Sequence, residues 1–119
     1  MGAVAQVRHR DRAAGAILDA IRETLGLSET ELADLFGVRA PSIAGWRDHG
    51  IPPARRASVE RLADLARVLR REVKPSRIPQ VVRTPDAWLE GRTMLEVVRE
   101  AGPEPIYAYL HRLFSYDGV

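Results

Sequence analysis

The chain has 119 residues, a formal net charge of +2, 45% hydrophobic residues and no cysteine. That length allows one domain, or a small domain with a helical extension, and a core that needs no covalent staple. A cysteine-free chain has no disulfide framework and no thiolate metal site, and no apolar run here approaches the length of a membrane span.

The first ten residues, MGAVAQVRHR, lack the apolar core of a signal peptide, and Gln6 stands where myristoylation needs Ser or Thr. The expectation is a flexible N-terminus over 1–10 and a cytoplasmic protein. A first helix is predicted from about Asp11 to Leu25, with Ala14, Ile17, Leu18, Ile21 and Leu25 in one apolar stripe and Gly26 as its stop.

The stretch 27–46, LSETELADLFGVRAPSIAGW, follows at once. Ser28 and Glu31 have the spacing of a capping box, and Leu27 and Leu32 flank it as a hydrophobic staple. Ala33 is small where two crossing helices touch, and Gly37 falls where a helix end wants a left-handed residue. A second short helix carries Ile43 and Trp46 on one face. Cap, small residue, Gly, β-branched residue and Trp occur in the order of a helix-turn-helix, which places its second helix in the DNA major groove.

With Ile43 and Trp46 turned inward, the reading face is Arg39, Ala40, Ser42, Gly45 and His49. Arg39 can pair with guanine and Ser42 can hydrogen-bond a base or phosphate, whereas Ala40 offers only contact with a thymine methyl. So sparse a face predicts modest selectivity per monomer, recovered in a homodimer on two half-sites or through DNA shape. Arg47, Arg55 and Arg56 are the expected phosphate contacts. Charge supports this placement. Residues 37–83 hold eleven basic and four acidic residues, while 1–36 and 84–119 are net acidic.

Gly50 and the Pro52–Pro53 pair mark a loop, and a long helix is predicted from about Ala54 to Val73. The helical unit 11–74 should therefore be the DNA-binding domain. Pro75 and Pro79 make 75–83 the predicted joint, with Val81 and Val82 in a short extended piece. The second half, 84–119, opens with Thr84 as cap and Pro85 at the first helical position. Thr93 and Glu96 form another capping box, Gly102 ends that helix, and Ile106, Tyr109, Leu110, Leu113 and Phe114 repeat at helical spacing to the end. The fold class is all-α: a helix-turn-helix unit followed by a small C-terminal helical domain.

Catalysis finds little support. His9, His49 and His111 lack metal-ligand spacing, and no Gly-rich loop is placed to cradle phosphate, so neither enzyme activity, a metal nor a cofactor is expected. The aromatic crowding of Trp88, Tyr107, Tyr109, Phe114 and Tyr116 suits an interface instead.

From about Asp11 to Val119 the chain resembles the Xre/MbcA/ParS-like antitoxins. The match is carried by Pro85, Trp88, Leu89, Gly91, Arg92, Thr93, Glu96, Val97, Val98 and Gly102, in the pattern P-x-x-W-L-x-G-R-T-x-x-x-[LV]-[LV]. Met94 stands where family members often carry Pro. The resemblance implies a toxin-binding second half, a RES-type toxin that consumes NAD as partner, neutralisation by blocking the toxin's cleft, and repression of the chain's own operon. Trp88, Arg92 and Tyr107 are then expected to contact the toxin. Tyr116, Asp117, Gly118 and Val119 are expected to form a tail that enters a cationic cleft. Two other readings stay open: a stand-alone repressor whose second half only dimerises, and a protein-docking module whose DNA contact has decayed.

Overall fold

The computed structural model describes the backbone of residues 2–117 and the side chains of 12–114. The chain is all-α, and the described residues contain no strand. Helix α1 spans Gly2–Leu25, α2 Glu29–Leu35, α3 Ala40–His49 and α4 Pro53–Glu72; α5 spans Ile78–Val81, α6 Met94–Ala101 and α7 Glu104–Asp117. Two 3-10 turns, Pro75–Arg77 and Ala87–Leu89, complete the order.

Both capping boxes form as their spacing requires. Ser28 Oγ accepts from Glu31 N at 3.0 Å and Glu31 Oε1 accepts from Ser28 N at 2.9 Å. Thr93 and Glu96 repeat the arrangement at 3.1 and 2.9 Å. These bonds satisfy donors that a helix start otherwise leaves open. They also hold Glu31 and Glu96 below the usual carboxylate range, chiefly because each accepts a backbone N–H, from Ser28 and Thr93 respectively.

The apolar stripes meet in one cluster. Leu18, Ile21, Leu32, Ile43, Val59 and Leu62 form its first-half portion, and Leu89, Met94, Val97, Ile106 and Leu110 its second-half portion. Ile78 and Val82 lie between them, both fully buried. Burying such side chains is worth roughly 1.5–3 kcal/mol each, so the two halves share their main source of stability.

Four local expectations are corrected. Helix α1 begins at Gly2, so the segment expected as a flexible end, 1–10, is helical from its second residue. Ala-rich sequence without Pro favours this continuation. Val81 and Val82 are not extended: Pro79 falls in the first turn of α5, a position that tolerates proline, and Val82 closes the helix in αR conformation. Thr84 does not cap the 3-10 turn Ala87–Leu89, because its hydroxyl donates to Gln80 O at 2.7 Å; Asp86 is the cap, accepting from Trp88 N at 2.7 Å. Finally, α7 continues through Asp117, so Tyr116 and Asp117, expected in a tail, belong to the helix.

Segment 75–83 packs tightly. Gly26 has φ +67°, and a Cβ placed there would lie 2.7 Å from the Pro79 ring. Only glycine satisfies both the left-handed turn and that approach. Arg83 then ties the segment down. Its guanidinium donates to Leu25 O, Gly26 O and Pro79 O and pairs with Glu31 at 2.9 Å. One side chain thus joins the end of α1, the start of α2 and α5. Among the described residues, no helix is long and apolar enough to cross a membrane.

Candidate functional site

Helices α2 and α3 pack together, Ala33 of α2 is buried, and Gly37 turns the chain between them at φ +68°. Phe36 and Trp46 pack edge to face, 5.7 Å between ring centroids. Ile43 and Trp46 point into the core, at 0% and 7% exposure. The other face of α3 is therefore turned outward. Arg39, Ser42 and His49 are exposed, and Ala40 and Gly45 are half-buried. Arg39 is the N-cap of α3, makes no capping bond with its side chain and pairs with no carboxylate among the described residues.

Arg47 corrects an expectation. Its guanidinium is not a free phosphate contact: it pairs with Asp19 at 2.7 Å and Glu29 at 2.9 Å, and its side chain is 23% exposed. Arg22 adds a looser cation near the same two carboxylates. Arg47 therefore clamps α3 to α1 and α2. Arg55 is also partly committed, donating to Phe36 O at 2.9 Å and so satisfying an open carbonyl at the end of α2. Arg56 is exposed and pairs with no carboxylate among the described residues. Much of the positive charge of 37–83 is likewise paired within the chain. Arg61 pairs with Glu104, Arg67 with Asp64 and Arg83 with Glu31.

The second half presents a different chemistry. Trp88 and Leu113 are the large apolar residues left exposed among the described residues, at 42% and 43%. Trp88 stacks on Tyr109 with centroids 5.4 Å apart, and the Arg112 guanidinium lies 5.5 Å over the Trp88 ring. The Tyr109 hydroxyl donates to Asp86 Oδ2 at 2.9 Å. Burial first, and then the Asp86 carboxylate, push that phenol up to about 12. Asp86 thus both caps the 3-10 turn and fixes the ring that supports Trp88.

The expected partner residues do not all gather here. Arg92 pairs with Glu100 at 2.5 Å and also donates to Leu89 O, so its charge is spent on the turn. Tyr107 faces α4 instead, with its hydroxyl 3.4 Å from Arg61 O, and burial raises its pKa. Gly118 and Val119 lie outside the described residues, as do the side chains of Tyr116 and Asp117. Sequence reasoning missed Arg112 and the supporting role of Asp86. The three-residue spacing of Tyr109 and Arg112 on one helix was the available signal.

Among the described residues no three His, Asp or Glu converge to hold a metal ion. Compared with known proteins, the chain matches no family model, no curated protein and no solved structure. What the fold and the geometry define is a class: an all-helical protein with a polar helix face at one place and an aromatic–cation patch at another.

Proposed function

We propose that this chain is the antitoxin of a type II toxin–antitoxin pair. In this reading α2 and α3 are a helix-turn-helix that binds promoter DNA and represses the operon. The second half binds and neutralises a RES-type toxin that consumes NAD. The carrying observation is the division of surfaces. Arg39, Ser42 and His49 stand exposed on α3 beside half-buried small residues, an arrangement compatible with close approach to base edges. Trp88 and Leu113, both in the second half, are the exposed large apolar side chains among the described residues. Aromatic and arginine side chains that lose water together dominate many protein interfaces.

The partner surface in this proposal is Trp88, Tyr109, Arg112 and Leu113, with the backbone of 115–117 following on the same helix. Co-expression with the product of the adjacent gene tests it. Capture of a RES-like protein by the wild-type chain, and its loss in a Trp88→Ala, Arg112→Ala variant, is the expected result. Growth arrest by the neighbouring protein that the wild-type chain does not relieve would refute neutralisation.

A second reading has one observation in its favour. The shared core across 75–83 suits a stand-alone repressor whose second half completes the fold and dimerises. Light scattering of the chain with Trp88→Ala separates the two. Dimer loss favours the repressor, and an unchanged dimer with lost toxin capture favours the antitoxin.

A further inference from the structure

The densest group of unpaired charge lies away from α3. Arg70 and Arg71 end α4, and Lys74 and Arg77 follow in and beside the 3-10 turn Pro75–Arg77. All four are exposed, and none pairs with a carboxylate among the described residues. By contrast Arg22, Arg47, Arg61, Arg67, Arg83, Arg92 and Arg99 are all in ion pairs. Glu72 is the only acid in the stretch 70–77. The negative end of the α4 dipole accounts for Arg70 and Arg71. It does not account for Lys74 and Arg77, which lie beyond the helix.

We propose that Arg70, Arg71, Lys74 and Arg77 form a second phosphate-binding surface, which holds a nucleic-acid backbone without reading its sequence. Helix α4 has 20 residues, so this surface sits nearly 30 Å along the helix from its start at Pro53. It is thus distinct from the α3 face and does not depend on it. Guanidinium groups pair with phosphate in a bidentate fork, and three of the four cations are Arg. A second copy of the chain is a poor occupant. Its second-half acids are largely engaged: Asp86 with Tyr109, Glu96 in its capping box, Glu100 with Arg92 and Glu104 with Arg61. A bilayer is also a poor occupant. Ile78 beside the patch is buried, and neither exposed large apolar residue falls in this stretch, so nothing there inserts.

The test is fluorescence anisotropy of a short random-sequence duplex over a salt series, on the full chain. Each phosphate contact contributes about 0.9 to the slope of log K against log salt. Replacing all four cations with Gln should flatten the slope by about 3.6, and the smaller Lys74→Gln, Arg77→Gln variant by about 1.8. The smaller variant leaves α4 intact, and circular dichroism verifies both folds. An Arg39→Gln, Ser42→Ala variant should retain the share of the slope due to this patch. An unchanged slope in the fourfold variant overturns the proposal, as does a wild-type chain that does not bind random duplex at low salt. Loss of binding to phosphatidylserine vesicles with duplex binding intact overturns it in favour of a membrane surface. A flattened slope in a protein with no preference for its own upstream DNA sustains this surface and refutes the α3 reading alone.

Discussion

The α2–α3 pair and the second half begin with the same local device and end with opposite surfaces. Each has a helix opened by a Ser/Thr–Glu capping box and closed by a Gly. In α2–α3 the large side chains Leu32, Phe36, Ile43 and Trp46 all turn inward, and the outward face is left polar or small. In the second half Leu89, Met94, Val97 and Ile106 are buried, yet Trp88 and Leu113 stay out. Local caps therefore decide where helices begin, not what they present. The surface follows from which face the shared core claims.

Core and patch should differ most sharply in stability. Leu32→Ala or Ile43→Ala removes a fully buried side chain and should cost about 2–5 kcal/mol in a urea melt. Trp88→Ala removes a half-exposed ring and one aromatic stack, and should cost about 1 kcal/mol or less. Equal losses would mean that Trp88 is structural and the two surfaces are not different in kind.

Arg47 and Arg39 sharpen the comparison within one helix. Arg47→Ala leaves Asp19 and Glu29 without their main cation and should cost about 1–3 kcal/mol, with DNA binding weakened as a consequence. Arg39→Ala should leave the melt unchanged within about 0.5 kcal/mol while changing DNA preference. A stable Arg47→Ala protein with a flattened salt slope would return Arg47 to the role of phosphate contact.

The two capping boxes should be nearly equivalent. Ser28→Ala and Thr93→Ala should each cost about 1 kcal/mol by thermal or urea melting. A much larger cost at Ser28 would show that the Glu31–Arg83 pair depends on the cap.

The smallest effects are in pH. Glu31 is lowered in the folded chain, so its contribution is present above the ordinary carboxylate range and is lost as pH falls through its depressed value. Glu31→Gln should make melting less sensitive to acid. Tyr109 is raised to about 12, so its contribution is complete below about pH 10 and is lost as pH rises toward 12. Asp86→Asn should lower that phenol's titration in an alkaline absorbance scan, but only in part, since burial is the larger cause.

Both caps, the inward face of α3 and the extent of α4 were legible in the sequence, because each rests on residues within one or two turns of one another. Arg47 was not. Its partners lie 28 and 18 residues away, and nothing in its own helix distinguishes a clamp from a surface cation. The 75–83 segment was misread for a similar reason. Its prolines signal a break in the helix, which occurs, but not that Pro79 would seat on Gly26 or that Ile78 and Val82 would join the core. Asp86 displaced Thr84 as cap because the Thr84 hydroxyl finds the Gln80 carbonyl one turn back, which only the folded α5 supplies.

The separation of the two surfaces is tested most directly by anisotropy of the chain's own upstream DNA, against random-duplex competitor, with two double variants. The Trp88→Ala, Arg112→Ala protein should bind with wild-type affinity and preference. The Arg39→Ala, Ser42→Ala protein should bind the upstream region no better than competitor. Wild-type preference in the α3 variant, or its loss in the Trp88 variant, would contradict the division of function between them.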